Sequence, residues 1–265
     1  MDSARTESSI RVTLTGMTHR LHPGLAVVRR DPRHLQVGID PPRRVVLPDE
    51  PAVRRTLAAL VDGAPLPSDG SAGATLAALV AAGLLAPGAS GSPGAHVSVS
   101  VSGPPALTEE LGVLLRAAGL AVTAEGTVRV IVAHGALRRE TVDPLVRCGT
   151  CHLVATTTPW GWELGPFVVP GVTACLRCID AAHAERDPHR GVVLDQVAAA
   201  GLPGPVDPAT RALALAWLTR DLLAYGRGDR PTTWSATVEI DQGMPRQHPW
   251  LRHPHCGCAW DALAG

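Results

Sequence analysis

Two tight cysteine pairs, Cys175-Leu-Arg-Cys178 and Cys256-Gly-Cys258, carry the clearest chemistry in this chain. Each pair is a short chelating loop, and two such loops far apart in sequence supply the four thiolates of a closed tetrahedral zinc site. Four sulfur ligands leave no open position for water, so Zn2+ held by Cys175, Cys178, Cys256 and Cys258 is expected to be structural rather than catalytic. Such a site ties the end of the chain to its middle. His253 and His255 flank the second pair and are read as neighbours of the sulfurs, not as ligands. A third pair, Cys148-Gly-Thr-Cys151, has no further pair to complete a second four-thiolate site. A redox couple or half of another metal site are its chemical alternatives, and a structural role is the reading adopted. Trp160, Trp162, Trp250 and Trp260 lie close in sequence to these motifs, where they can pack around the metal or form a docking patch.

Composition bounds what else the chain can do. With 265 residues, 45% of them hydrophobic, it can bury a real core, divided between two domains. A formal net charge of +0 and a pI near 7.2 give no bulk attraction to nucleic acid or to an acidic membrane. No apolar run approaches the roughly 18 residues of a membrane span. The polar first residues lack the apolar core of a secretion signal, so a cytoplasmic location is expected. In that setting close cysteine pairs read as metal ligands before disulfides. All 24 basic residues are arginine, and the absence of lysine excludes Schiff-base chemistry and a phosphate-gripping P-loop.

The elements that must position the cysteines follow from the hydrophobic pattern. Residues 1–20 read as weakly ordered. Residues 21–87 form one unit: three β-prone runs (25–30, 34–39 and 43–47) are separated by Asp-Pro turns. A helix is expected from Pro51 to Val61 and a second over 74–82, with Leu76, Leu79 and Val80 on one face. Three small strands and two helices suggest a winged helix-turn-helix. Residues 88–95, rich in Pro, Gly and Ser, read as a linker.

Beyond it, residues 96–265 alternate strand and helix. Strands are expected at 96–102, 128–133, 152–158, 167–169 and 233–240, and helices at 106–118, 137–147 and 208–225. This argues for a parallel α/β sheet. The second helix of the first unit, Ala74-Thr-Leu-Ala-Ala-Leu-Val-Ala-Ala82, has no basic residue with which to reach DNA. Addition of a peptide strand to an open sheet edge is the alternative use of such a module.

At Gly165-Pro-Phe-Val-Val-Pro-Gly171, running into Thr173-Ala-Cys-Leu-Arg-Cys178, and at the terminal His253-Pro-His-Cys-Gly-Cys258, the chain resembles the ThiF-like partner proteins of thiazole/oxazole-modified microcin biosynthesis. These are relatives of ubiquitin-activating enzymes. The resemblance covers residues 20–262 and implies a winged-helix domain that recognises the leader of a precursor peptide, followed by a degenerate Rossmann-like domain stapled by zinc. It implies a protein that presents the precursor to a YcaO-type cyclodehydratase and is itself non-catalytic, and it leaves a homodimer open. On this reading the third strand of the first unit is the peptide edge. Val45, Val46 and Leu47 pair with the leader, Arg43 and Arg44 meet its acidic side chains, and Leu76, Leu79 and Val80 line the other groove wall.

The catalytic relatives adenylate a carboxylate, and their machinery is eroded here. The phosphate turn reads Ser102-Gly103-Pro104-Pro105, whose prolines remove two anion-binding N–H groups. Glu125 is the nearest candidate for holding a ribose. The expected metal-binding aspartate is replaced by Ala133-His134-Gly135, and no lysine is present. No ATP cofactor is therefore expected, and an adenylyltransferase and a winged-helix DNA-binding regulator stand as the rival functions.

Overall fold

The structure, a computed structural model, describes residues 19–86, 97–201, 207–241 and 243–258. The expectations for residues 1–18, for the 88–95 linker and for Trp260 lie outside these. The chain divides into two compact units on either side of the Ser92–Pro93 bond.

The first unit contains β1 (Arg20–Leu21), β2 (Val27–Asp31), β3 (His34–Val37), β4 (Val45–Pro48), α1 (Pro51–Asp62), α2 (Gly73–Ala81) and β5 (Leu85–Ala86). Arg20, expected in the weakly ordered segment, pairs with Ala86 across the short β1–β5 ladder. Strands β2, β3 and β4 form an antiparallel meander with β4 at one edge. Helix α1 starts on Pro51, where a missing N–H costs nothing, and ends at Gly63 in the left-handed conformation (φ 68°). Its Val53, Leu57 and Leu60 meet Val37, Leu47, Leu76 and Leu79 in one core.

Gly38 cannot carry a side chain. It has φ 80°, and a Cβ there would lie 2.0 Å from the Arg43 carbonyl oxygen. That close approach draws the loop before β4 tightly back on β3. Arg43 and Arg44 belong to this loop and not to the strand, which begins at Val45.

The second unit comprises β6 (Ser98–Ser102), α3 (Pro105–Ala117), β7 (Ala121–Val122), β8 (Val128–Ala133), α4 (Asp143–Arg147), β9 (Cys151–Thr158), β10 (Gly161–Val168), α5 (Leu176–Ala184), α6 (Arg190–Ala200), α7 (Pro208–Gly226), β11 (Ala236–Ile240) and β12 (Arg246–Pro249). Its seven strands run in the order β12-β11-β10-β9-β8-β6-β7. The sheet is mixed. Strands β7, β6, β8 and β9 are parallel, as the alternation predicts, while β9 through β12 are antiparallel.

The antiparallel half escaped the sequence reading because Gly165-Pro166 looks like a loop. The strand runs through both residues, and the register slips between Leu164 and Phe167, a bulge that accommodates proline. The helix expected over 137–147 is broken into a 3-10 turn at Arg139–Thr141 and the short α4. Pro144 cannot donate the hydrogen bond that continuity requires.

Period-two alternation sends Val128, Val130, Val132, Leu153 and Ala155 to one face, against Leu111 and Leu115 of α3 and Leu215, Leu218 and Leu222 of α7. Ile131 and Val154 point to the other face and pack with Leu176 and Ile179 of α5. Helix α7 is locked to the chain before β11 by Asp221, 1% exposed. Its carboxylate accepts from the N–H and hydroxyl of Thr232 (3.0 and 2.8 Å) and of Thr233 (2.9 and 2.6 Å). Asp221→Ala strands four donors, the two of Thr233 buried and the two of Thr232 half-buried, and is expected to destabilise the chain by about 3 kcal/mol in urea unfolding.

Candidate functional site

The structure brings Cys175, Cys178, Cys256 and Cys258 to one point, with all four Sγ atoms within 4.8 Å of one another. Sγ–Sγ separations are 3.8 Å for Cys175–Cys178, 3.4 Å for Cys175–Cys256 and 3.3 Å for Cys178–Cys258. These are far longer than a disulfide bond and close to the edge of about 3.8 Å that a tetrahedron with Zn–S near 2.3 Å requires. The four cysteines can hold a metal ion, and an all-thiolate tetrahedral donor set fits zinc.

Local sequence builds each half. Cys175 caps α5 in extended conformation, and its carbonyl accepts from Cys178 and Ile179 N–H, so both sulfurs of the first pair sit in the opening turn of a helix. The helix N-terminus favours thiolate there. The second pair begins on the last residue of a 3-10 turn at Pro254–Cys256 and turns through Gly257 at φ 76°.

Unmetallated sulfurs compete for protons. Cys178 is driven down by hydrogen bonds from Cys175 and Cys256, helped by the His253 backbone N–H. Cys175 is driven up by its contacts with Cys178 and Cys256 and by burial. Cys256 feels a downward pull from Cys175, but Cys178 and burial outweigh it and push the thiol up to about 12. Metal uptake therefore displaces protons and weakens as pH falls.

Neither flanking histidine joins the sulfurs. His253 Nδ1 accepts from the His255 N–H (3.2 Å), which leaves Nε2–H to donate to Glu185 at 3.0 Å and tie the C-terminal loop to the end of α5. Trp250 packs against the cysteines and bonds Thr237 through its indole N–H at 3.0 Å, whereas Trp160 is exposed and Trp162 is buried in the main core. Cys148 is exposed and Cys151 half-buried, with the latter 3.6 Å from the Tyr225 hydroxyl, and neither belongs to the cluster.

One residue that organises the site escaped sequence reasoning. Ser235 sits at φ 47°, and it is the only non-glycine residue with positive φ among those described. Its hydroxyl oxygen accepts from Ala174 N–H (2.9 Å), just before the first pair, and its carbonyl accepts from Trp250 N–H (2.7 Å), at the start of the segment that leads to the second. A single strained residue thus holds both chelating loops.

The residues expected to bind a peptide separate into two groups. Leu47, Leu76 and Leu79 are buried in the core of the first unit and do not line an open groove. Val45 is half-buried, whereas Val46 on β4 and Val80 on α2 are exposed. Helix α2 packs beside β4, whose outer edge has no partner strand among the described residues. Arg43 and Arg44 are exposed at the head of β4, and no acidic group among the described residues lies within ion-pairing distance. At the turn between β6 and α3, Pro104 and Pro105 occupy the cap and first position of α3, so two N–H groups are missing there.

No protein-family model matches the chain, and no curated protein sequence matches it. Solved structures do. The heterocyclase TruD superposes over 92% of this chain with a TM-score of 0.69 at 17% identity. A heterocyclase in complex with substrate and cofactor covers 91% with a TM-score of 0.65 at 18% identity. Escherichia coli MccB with succinimide covers 92% with a TM-score of 0.60 at 13% identity. The likeness is one of fold. The chain spans 43% and 39% of the two heterocyclase chains and 100% of the MccB chain.

Metal analysis of the purified protein should find about one zinc per chain. Its removal by a chelator, or by acidification, should lower the melting temperature sharply, because zinc held by thiolates contributes about 10–16 kcal/mol in peptide sites. Cys178→Ser should lose the metal, while Cys148→Ser/Cys151→Ser should retain it. Ser235→Ala should bind zinc more weakly in a competition titration, by roughly tenfold for one lost hydrogen bond and a worse fit to positive φ.

Proposed function

We propose that the chain binds the leader of a ribosomally made precursor peptide and presents it to a YcaO-type cyclodehydratase for azoline or azole formation, without catalysing the reaction itself. The first unit acts as a winged-helix recognition domain and the second as a ThiF-like scaffold with a structural zinc. The observation that carries this reading is the edge of β4 beside α2, which among the described residues has no partner strand, with Val46 and Val80 exposed and Arg43 and Arg44 at its head without an ion-pair partner among those residues. An extended peptide adding to that edge satisfies the unpaired backbone groups of β4. Acidic leader side chains would find the two arginines, in an attraction weakened by salt.

The fold comparison supports the same reading. Its relatives of like fold include heterocyclases, and MccB has been solved in complex with N-formylated MccA, at a TM-score of 0.56 and 12% identity to this chain. The lysine-free sequence and the proline-filled turn before α3 favour a scaffold over an adenylating enzyme.

Fluorescence polarisation with labelled leader peptides from candidate precursors tests the proposal. Val46→Asp and Val80→Asp, both at exposed positions, should weaken binding about tenfold or more, and Arg43→Glu/Arg44→Glu should weaken it while flattening its salt dependence. Unchanged affinity in all three variants would remove the edge-strand reading. Leader-dependent ATP–pyrophosphate exchange by the protein alone would instead establish the adenylating rival.

A further inference from the structure

A cavity of about 620 Å3 lies on the α5/α6 face of the second unit's sheet, at the C-terminal ends of β8 and β9. Its walls are largely apolar, built from Leu137, Val154, Leu176, Leu194 and Val197. One carboxylate stands in it. Strand alternation sends Trp162 and Leu164 into the core on the opposite face, so Glu163 between them faces the cavity.

The charges around Glu163 are spoken for. In register beside it are Thr156 on β9 and Glu239 on β11. Arg246 and His248 of β12 lie 3.2 and 3.7 Å from Glu239. Both basic side chains that line the cavity turn to Asp180 of α5, Arg139 through two contacts of 2.5 and 2.7 Å and Arg190 at 3.3 Å. Among the described residues no basic group comes within ion-pairing distance of Glu163.

Although its side chain is open to the cavity space, the enclosing protein desolvates it and holds its pKa above the ordinary carboxylate value. Arg190 opposes this and Glu239 adds to it, with smaller contributions from Arg139 and His248. Glu163 is an exposed side chain with no basic partner among the described residues, so its carboxylate is open to accept from a cationic donor that enters the cavity.

We propose that this cavity binds a small ligand with an apolar body and a primary-amine head, the ammonium donating to Glu163 while the body packs against the α5 and α6 side chains. The volume falls within the range of about 300–1,000 Å3 typical of small-molecule sites. The ends of parallel strands are also where open α/β sheets place ligands. This site is independent of the peptide edge in the first unit.

Dansylcadaverine and dansylamide share the dansyl body, and only the first carries a primary aliphatic amine, at the end of a pentyl arm. Titrated into the full chain and followed by dansyl emission, dansylcadaverine should saturate with affinity about tenfold or more above dansylamide, the effect of a hydrogen bond to a charged group. Glu163→Gln should bring the amine down to the amide. Val197→Trp, at a half-exposed position on the cavity rim, should weaken both with an unchanged circular dichroism spectrum. Equal affinity for the two probes, an unchanged dansylcadaverine affinity in Glu163→Gln, or no saturable binding of either would overturn the proposal.

Discussion

The convergence of four sulfurs is the constraint on which the second unit depends. Two loops from distant parts of the chain place Cys175, Cys178, Cys256 and Cys258 within 4.8 Å. Thiols and thiolates packed that closely repel and compete for protons unless a cation gathers them. A metal there would hold the start of α5 against the C-terminal loop. Through Trp250, which packs on both the cysteine cluster and the Ile131–Val154 core, the same closure bears on the β12 edge of the sheet. Ser235 is the hinge of this arrangement, because one strained residue bonds both loops.

The sheet then divides its labour by face. One side is closed by α3 and α7 over the largest core, with Phe167 packed on Tyr225 at 4.6 Å. The other carries the cysteines, the Arg139–Asp180–Arg190 ion group and the Glu163 cavity. Chemistry gathers on the second face because α6 buries none of its residues there. An element that does not seal the sheet leaves space beside it.

Much of the fold was legible in the sequence where the signal is local. Helices α1, α3 and α7 and strand β8 stand where apolar spacing and the Pro and Gly boundaries put them. The convergence of the four cysteines was legible because chelate spacing is itself a local property. Where an element's identity depends on its neighbours, the reading failed. Gly165-Pro166 reads as a break, yet a bulge carries the strand across it. Helix α6 has no apolar stripe to betray it, since it packs on too little. The stripe of Leu76 and Leu79 is the same whether it faces a groove or a core, and only packing assigns it to the core.

By itself the sequence determined the four-thiol donor set, the strand and helix periods, and the absence of lysine and of two N–H groups at Pro104 and Pro105. These are properties of residue type and spacing, independent of what lies across the fold. Tertiary structure alone decided that β10 to β12 run antiparallel, that Ser235 joins the two cysteine loops, and that Glu163 has no ion-pair partner among the described residues. Each of these depends on which strand lies opposite which, a matter of register between segments far apart in the chain. A shift of one residue would have turned Glu163 into the core and Trp162 into the cavity.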